Sequence, residues 1–585
     1  MLEPRIYRAA FLPALLAVVV GMFSLQSRPP AVPQALAADV LFDGHVALSG
    51  TQRLAKAYPD RRPGSAGDRQ AAAQVAATLR AQHFAVTVDR FGSDGDSLVN
   101  VVGRRIGESP RELVVVAPRD ADRVPDAAGS AADTASLLEI ARTLGGRLTQ
   151  KTLVLASIDG STLGSAGARR LAAQLAGSGP VEAIIVLSDT GVAKARGTLL
   201  IPWSETTARS GLRLQRTIGE SLRLELPHGG AGRSSAAPAQ FARLAFPLGI
   251  GDQAPFLDQG FDALRVSGSG ELPPASQPAP DADRLGIIGR ATLRTLFAYD
   301  ADGQVSEPPP SFLLIGQKLL PRWSVALLAA SLLLPLLVAS IDSFARARRR
   351  REPVGPWLRW IAAGVAPFIV ALVVAEFLVL VGQSPDAPPV PLPPGTHGLD
   401  GSAGVALGIC ALFFVLAWVL ARPRLAGSVP AADSPAAGAA LALVLSLAAL
   451  AVWVVNPFAA LALAPALHIW LLVTASPVPP PRPLGVALVV SGLLVPLLIA
   501  VTILDRLSLD PLAGLWYLFL LVTGHHVGLY TSIVGAVLLA CFAAAMRIAL
   551  ARRPQRREAE SASLRGPGGY AGPGSLGGTE SALWR

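Results

Sequence analysis

The pattern of apolar positions divides the chain into two regions of different character. Between residues 41 and 305, short apolar runs alternate with amphipathic segments, as in a soluble α/β domain. Between residues 324 and 550 the apolar runs are nearly continuous. In the first region the pattern predicts helices over residues 67–82, 134–146, 163–176, 205–221 and 285–299. It predicts strands over residues 84–91, 98–104, 112–117, 152–158, 181–187 and 263–267.

The predicted strands are apolar throughout rather than alternating. The runs LVVVA (113–117) and AIIVL (183–187) contain no polar position. An unbroken apolar strand is typical of a sheet that helices cover on both faces. Because strands and helices also follow each other in turn, the first region is predicted to be a three-layer α/β sandwich with a mixed, mostly parallel sheet.

Seven apolar segments of the second region are long enough to cross a bilayer, which predicts an all-α, polytopic transmembrane bundle. They lie near residues 324–343, 360–382, 402–421, 436–455, 457–475, 485–504 and 529–549. A further segment, residues 512–528, is apolar but interrupted by glycines and a histidine pair. We expect this segment to be re-entrant or interfacial.

Arginines follow alternate apolar segments and predict the topology. They cluster at residues 346–351, 422–424, 482 and 552–557. The alternate loops, residues 384–401 and 505–510, are poor in positive charge. Because arginines near the end of a span resist translocation, both termini are predicted to be cytoplasmic and residues 41–305 extracytoplasmic. The chain is therefore expected to be a multi-pass protein of the cytoplasmic membrane, with the lipid bilayer as its first partner.

Composition agrees with a membrane protein. The chain has 585 residues, of which 51% are hydrophobic, and a mean hydropathy of +0.46. The net charge of +10 comes almost wholly from arginines, many of them beside apolar segments. These serve as topology signals, and the absence of any nucleic-acid motif predicts no nucleic-acid partner. Cys410 and Cys541 lie in predicted spans, so the α/β region must fold without disulfides.

The N-terminus carries an apolar core over residues 9–25, preceded by Arg5 and Arg8. We interpret it as a signal anchor, while the small residues at 31–39 leave a cleaved signal peptide open. The predicted organisation is a cytoplasmic N-terminus (1–8), the anchor (9–25), a linker (26–40), the exported α/β domain (41–305), a second linker (306–322), the helical bundle (323–550) and a disordered cytoplasmic tail (551–585).

Six segments of the α/β region resemble successive blocks of the di-zinc aminopeptidase family, peptidase family M twenty-eight, which includes the transferrin-receptor ectodomain. They are residues 61–86, 113–121, 127–144, 151–172, 181–191 and 251–266. The resemblance covers roughly residues 50–300 and implies a zinc-aminopeptidase-like fold. The layout of the whole chain is also similar to the peptidase-like subunit of glycosylphosphatidylinositol transamidase, whose role is binding and assembly.

The resemblance places the first half of the family's metal site on residues that mostly lack its ligands. The first histidine ligand falls on Pro118, and the aspartate that would orient it falls on Asp120, with Arg119 between them. The bridging aspartate falls on Gly129 in an ungapped match, or on Asp133 if three residues are deleted.

The second half of the site shows the same losses. The paired glutamates fall on Ser161 and Thr162, the next aspartate ligand on Asp189, and the last histidine on Gln253. Zinc prefers nitrogen and sulfur donors, so the remaining carboxylates cannot hold it tightly. We therefore expect no metal, no cofactor and no hydrolysis by the family's mechanism. Zinc at an atypical site, with Asp133 and His228 as ligands, is the alternative.

A cleft is nevertheless expected at the carboxyl ends of the strands, where open α/β sheets form their crevice. Asp120, Ser161, Asp189 and Gln253 are predicted to converge there, with Arg119 adjacent. Such groups would offer hydrogen bonds to a peptide or to a polar head group.

Four polar residues of the apolar region are candidates for a role there: Glu376, His468, His525 and His526. Charged and polar groups are costly inside a bilayer, so these residues either form a proton or ion path or make contacts between helices. The leading hypothesis is a bacterial membrane protein, as the arginine- and alanine-rich composition suggests, with a catalytically inactive peptidase-like ectodomain. That domain would bind a peptide, a lipid-linked substrate or a partner protein. The alternatives are a membrane-bound metallo-aminopeptidase and a transporter with an accessory ectodomain.

Overall fold

The computed structural model describes residues 3–33, 41–93, 95–226, 236–304, 308–385, 388, 390–428, 431–476 and 480–551. His228, residues 34–40 of the first linker, residues 305–307 at the start of the second and residues 552–585 of the tail lie outside these ranges.

A seven-stranded sheet forms the centre of the α/β domain. Its strands are β1 (Ala85–Ser93), β2 (Asp96–Arg105), β3 (Ser109–Pro118), β4 (Lys151–Ile158), β5 (Val181–Ser188), β6 (Leu200–Ile201) and β7 (Ala263–Ser267). Their order across the sheet is β1-β2-β4-β3-β5-β7-β6. The four central strands β4, β3, β5 and β7 are parallel, and the outer pairings are antiparallel. The predicted mixed, mostly parallel sheet is confirmed.

Helices cover both faces of this sheet. Alternate residues of β3 face opposite layers: Leu113 and Val115 belong to one apolar cluster, whereas Val114 and Val116 belong to another. The first cluster includes side chains from the helices Ala66–Ala81, Ala132–Leu144, Leu212–Glu225 and Ala282–Ala301. The second includes side chains from the helices Ala166–Leu175 and Gln253–Asp258. Both faces of the strands are buried, which explains why their sequences are apolar throughout.

The predicted elements differ from the observed ones mainly in irregular segments. The helix predicted over residues 205–221 begins only at Leu212, because residues 202–211 form bends and an isolated bridge between Trp203 and Arg209. The helices Gly44–Ala57 and Ala237–Ala245 and the short helix Gln253–Asp258 were not predicted. Gly44–Ala57 has an N-cap, since the Asp43 side chain accepts from the backbone N–H groups of His45 and Val46.

A small three-stranded sheet joins the α/β domain to the helical region. Gln26–Ser27 pairs with Lys318–Pro321, which in turn forms a hairpin with Phe312–Ile315. The segments predicted to be linkers, residues 26–40 and 306–322, are thus structured where these strands pair. The Ser24 hydroxyl also donates to the Ser324 hydroxyl at 2.9 Å. These contacts hold the segment that enters the α/β domain next to the segment that leaves it.

The helical region begins at Arg322. Within the described residues, seven helices are long and apolar enough to cross a membrane, and an eighth results if one bent pair counts as a single span. The seven are Pro4–Phe23, Arg322–Arg349, Val354–Leu380, Gly401–Ala426, Pro435–Val455, Pro457–Ala475 and Leu529–Ala551. The bent pair, Arg482–Ser491 and Leu494–Arg506, turns by 40°. These helices fit a multi-pass membrane protein.

The α/β domain packs against one end of these helices. Asn456, between two of the helices, donates from its side-chain nitrogen to the carbonyl oxygens of Leu244 and Ala245 at 2.8 and 3.2 Å. At the helix Arg322–Arg349, Val325 packs in one apolar cluster with Leu244. A helix of this length spans about 42 Å at ~1.5 Å per residue, so its arginine-rich end is remote from the domain. The N-terminal Glu3 pairs with Arg346 at that remote end.

The segment predicted to be re-entrant or interfacial forms the helix Pro511–Thr523. This helix has 13 residues and is too short to cross a hydrocarbon core of about 30 Å. Both of its flanks contact the α/β domain: Leu507 packs with Leu248 and Ile250, and the His526 ring lies 3.1 Å from the Glu205 carboxylate. Whether this segment is re-entrant or interfacial in a bilayer stays a prediction.

The arrangement predicts which surfaces an impermeant thiol reagent reaches on intact cells. In a chain whose two native cysteines are replaced, a cysteine at Leu148, which is 97% exposed, should react. A cysteine at Arg350, exposed in the arginine cluster, should react only after permeabilisation. Labelling of the Arg350 cysteine without labelling of the Leu148 cysteine on intact cells would invert the topology.

Candidate functional site

A cavity of about 200 Å³ lies at the carboxyl ends of the parallel strands β3, β4 and β5. Six aspartates and two arginines line it, and so do four residues of the helical region. The aspartates are Asp120, Asp122, Asp126, Asp133, Asp189 and Asp252, and the arginines are Arg123 and Arg265. We call this cavity the acidic cleft. Its position is the one predicted for the crevice of an open α/β sheet.

Asp120 anchors the floor of the cleft. It follows Pro118, the last residue of β3, and its carboxylate accepts hydrogen bonds from the backbone N–H groups of Ser161 and Thr162 at 2.9 and 3.0 Å. The Thr162 hydroxyl also donates to it at 2.8 Å. Burial raises the pKa of Asp120 to about 6, although these hydrogen bonds oppose the shift. The three sequence-predicted positions Asp120, Ser161 and Thr162 are therefore brought together.

Asp126 lies beside Gly129, which is one of the two positions on which the bridging aspartate could fall. A side chain at Gly129 would meet the carboxylate of Asp126 at 2.4 Å, so Asp126 fills the space that such a side chain would need. The Asp126 carboxylate also accepts from the backbone N–H of Ser130 at 2.7 Å. Gly129 itself is buried and has no side-chain ligand atom, whereas both Asp126 and Asp133 line the cleft.

Asp133 and Asp189 form a second pair of carboxylates in the cleft. The Asp133 carboxylate accepts from the backbone N–H groups of Asp189 and Thr190 at 3.0 and 2.8 Å. Burial, and then the charge of Asp189, raises the pKa of Asp133 well above its ordinary value. The Asp189 carboxylate accepts from the Ser269 hydroxyl at 2.6 Å, and burial raises its pKa too. Asp189 has a φ of +51°, a left-handed conformation that its short polar side chain tolerates.

Gln253 does not line the cleft. Its side-chain nitrogen donates to the carbonyl oxygens of Trp203 and Ile250 at 3.0 and 2.9 Å, and the residue is fully buried. The preceding residue, Asp252, lies in the cleft wall instead. The predicted convergence of Gln253 with Asp120 and Asp189 is therefore not observed.

Arg119 also points away from the cleft. Its guanidinium donates twice to the Asp68 carboxylate, at 2.9 and 2.7 Å, and once to the Val99 carbonyl oxygen at 2.7 Å. It donates to the Ser157 hydroxyl at 3.2 Å, and the Asp159 carboxylate lies 3.8 Å away. Because all these groups are buried, Arg119 belongs to the interior of the domain and is not placed to contact a ligand.

Four residues of the helical region complete the cleft. Pro391, Leu392, Pro393 and Thr396 belong to the loop that follows the helix Val354–Leu380. We call residues 390–396 the cleft loop. The Tyr517 hydroxyl holds it by donating to the Leu392 carbonyl oxygen at 2.9 Å. Sequence reasoning missed this wall, since a proline-rich loop carries no signal of what it will cover. It also missed Asp126, Asp252 and Arg265.

The polar residues predicted inside the apolar region have separate contacts. His468 lies between the Tyr7 hydroxyl, at 2.6 Å, and the Leu332 carbonyl oxygen, at 2.8 Å, as in a contact between packed helices. The His525 ring lies 3.9 Å from the Glu376 carboxylate. His526 bridges the Pro388 carbonyl oxygen and Glu205. These contacts form no continuous row of polar groups through the described helices.

The donor set of the cleft does not fit tightly bound zinc. Its lining residues include carboxylates and hydroxyls but neither imidazole nor thiolate. Asp120 and Asp133 each accept two backbone N–H groups, which use about half of the lone pairs of each carboxylate. Across the described ranges, no group of three or more His, Cys, Asp or Glu side chains is arranged to hold a metal ion. Position 228 lies outside those ranges.

Comparison with known proteins gives similarity to solved structures alone. No protein-family model and no curated protein matches the chain. A glutaminyl cyclase from Porphyromonas gingivalis matches at 20% identity and a TM-score of 0.37, over 44% of this chain and 99% of that one. A leucine aminopeptidase precursor from Bacteroides thetaiotaomicron matches at 15% identity and 0.37, over 46% and 99%. A glutaminyl cyclase from an Acidobacteriales bacterium matches at 18% identity and 0.37, over 46% and 98%. Values this low carry no conclusion about activity.

The buried position of Arg119 predicts a large loss of stability when its charge is removed. Arg119→Met leaves Asp68 and Asp159 buried without their cation, which should cost about 3–5 kcal/mol of unfolding free energy. Urea unfolding of the full chain, followed through Trp203 with the other tryptophans replaced, measures the change. Arg62→Met is the matched control, because Arg62 pairs with Asp60 on the surface and should shift nothing measurable. Equal effects of the two substitutions would contradict the structural role of Arg119.

The raised aspartate pKa values predict that the domain is more stable in mildly acidic than in alkaline solution. Burial raises the pKa of Asp120, Asp258 and Asp262 to about 6 and that of Asp159 to about 8. The ordinary value is 3.8, so folding takes up protons. The contribution of these protonated carboxyl groups to the free energy of unfolding is complete below pH about 4. It is lost as the pH rises through their folded-state pKa values.

The urea midpoint of the full chain should therefore rise between pH 8.5 and pH 5.5. Asp159→Asn should flatten the curve above pH 7, because the group that titrates there is gone. A midpoint that falls steadily as the pH is lowered across this range would contradict the prediction.

Proposed function

We propose that this chain is an integral membrane protein of bacterial origin whose α/β domain binds a ligand in the acidic cleft without hydrolysing it. The main support for the proposal is that cleft carboxylates accept hydrogen bonds from backbone N–H groups of the neighbouring loops. Asp120 and Asp133 fix backbone N–H groups of neighbouring loops, so they shape a preorganised acidic surface. No side chain in the cleft lining supplies the imidazole that a zinc-bound water would require.

The charges of the cleft favour a ligand with a free amine. Six aspartates face two arginines in its lining, and several of these aspartates are buried. An ammonium group would offset the repulsion between neighbouring carboxylates such as Asp133 and Asp189 and donate hydrogen bonds to them. The N-terminus of a peptide and an amine-bearing head group both have this chemistry. The helical region contributes one wall, so the ligand is held where the domain meets the membrane helices.

A binding measurement on the full chain in lipid nanodiscs tests the proposal. A fluorescent peptide with a free N-terminal amine should bind saturably and remain uncleaved, with or without added zinc. Asp189→Asn should weaken this binding about tenfold, since a hydrogen bond between charged groups is lost. N-acetylation of the peptide should have a similar effect.

Asp89→Asn is the matched control, because Asp89 lies on β1 and pairs with Arg170 outside the cleft. Thermal unfolding of each variant checks that the fold is kept. Release of the N-terminal residue in proportion to bound zinc would replace the proposal with a membrane-bound metallo-aminopeptidase. Binding that Asp189→Asn leaves unchanged would place the ligand elsewhere.

A further inference from the structure

A second cavity lies in the helical region beneath the α/β domain. Its volume is about 500 Å³, within the range of about 300–1,000 Å³ that is usual for small-ligand sites. Its walls are the helix Pro457–Ala475, the second half of the bent pair and the helix Pro511–Thr523. Ala245, Phe246 and Leu248 of the α/β domain form its roof. We call this cavity the apolar chamber.

The lining of the apolar chamber is suited to a hydrocarbon ligand. None of its nineteen lining residues is charged, and the single side-chain polar group is the Tyr517 hydroxyl. That hydroxyl already donates to the Leu392 carbonyl oxygen. A polar ligand would leave its own groups without hydrogen bonds here, which is costly in an apolar environment.

The chamber opens towards the surroundings of the helices. Leu515 and Leu518 line it and are 52% and 42% exposed, so the chamber is not closed off by neighbouring side chains at this helix. Where such helices cross a bilayer, the medium at this surface is lipid. The chamber lies at the end of the helices next to the α/β domain, so an acyl chain can enter it without leaving the membrane.

A third, small cavity adjoins both the chamber and the acidic cleft. It shares Tyr517 and Leu521 with the chamber, and Pro391, Leu392 and Pro393 with the cleft. The three cavities therefore lie in series, and the hydrogen bond between Tyr517 and Leu392 marks the boundary between the apolar and the acidic parts. Such an order of environments matches an amphiphile with one hydrocarbon chain at one end and a charged group at the other.

We infer that the apolar chamber holds a hydrocarbon chain of an amine-bearing membrane lipid, whose head group enters the acidic cleft. This inference rests on the proposed function and specifies the ligand class of the same site. The amine meets the cleft carboxylates, while Arg123 and Arg265 in the same lining offset the negative charge of a phosphate. The cleft loop and Tyr517 then position the boundary between chain and head group.

Photolabelling of the full chain in proteoliposomes tests the inference. The probe is phosphatidylethanolamine with a diazirine near the end of one acyl chain, and the comparison probe is phosphatidylglycerol with the same chain. The phosphatidylethanolamine probe should label peptides from residues 457–475 and 496–521. Ala500→Phe and Ala462→Phe place a ring in the chamber and should lower this labelling about tenfold, as expected when a few methylenes lose their site.

Ala411→Phe is the matched control, because Ala411 is exposed on the helix Gly401–Leu416 and does not line the chamber. It should leave the labelling unchanged. Labelling that neither chamber variant lowers would overturn the assignment of the chamber. Equal labelling of the chamber by the phosphatidylglycerol probe would overturn the assignment of the head group.

The soluble peptide separates this inference from the proposed function. If the free-amine peptide binds to the cleft while the chamber is not labelled, the lipid assignment is wrong and the proposed function stands. If Asp189→Asn affects neither peptide binding nor lipid labelling, both are wrong. The lipid inference is supported when the chamber variants lower lipid labelling yet leave peptide binding intact.

Discussion

The buried guanidinium of Arg119 ties together the elements on which the cleft is built. It joins the helix Ala66–Ala81 through Asp68, strand β2 through the Val99 carbonyl oxygen and strand β4 through Ser157. A buried cation is tolerated only where charged partners and hydrogen bonds surround it, so these elements cannot move apart cheaply. The next residue is Asp120, which fixes the loop after β4 by accepting its backbone N–H groups. The geometry of the cleft floor follows from this one constraint.

The helical region adds the second constraint, because it supplies a wall of the cleft and a support for that wall. The cleft loop lies at the carboxyl ends of the strands. The Tyr517 hydroxyl donates to its Leu392 carbonyl oxygen, and the His526 ring contacts the carbonyl oxygen of Pro388, just before the loop. Contacts of His526 with Glu205 and of Asn456 with Leu244 join the two regions at further points. The acidic cleft is therefore lined by both the α/β domain and the helical region, and a ligand of the proposed site would contact both.

Sequence patterns predicted the elements whose burial or length is determined by their own residues. The doubly buried strands required unbroken apolar runs, so β3 and β5 could be located to within a few residues, and the lengths of the apolar segments identified the long helices. Asp120, Ser161 and Asp189 could be placed in the cleft because each follows a parallel strand. Side-chain direction could not be predicted: Arg119 and Gln253 each adjoin a cleft aspartate yet turn into the interior. Asp126 was missed because its carboxylate fills the space beside Gly129 although it lies three positions earlier in the chain. The cleft loop was missed because the residues it contacts, such as Tyr517, are distant in sequence.

Whether the cleft loop covers the acidic cleft in the membrane is the most direct test of this account. Thr396 of the loop and Ser276 of the α/β domain are both exposed and line the same cavity. Cysteines at these two positions, in a chain without the native cysteines, should be joined within one molecule by a short bifunctional thiol reagent in native membranes. A cysteine pair at Thr396 and Leu148 should not be joined, because Leu148 precedes β4 and lies near the opposite end of the strands. Absence of the Thr396–Ser276 crosslink, with both cysteines reactive, would contradict the account.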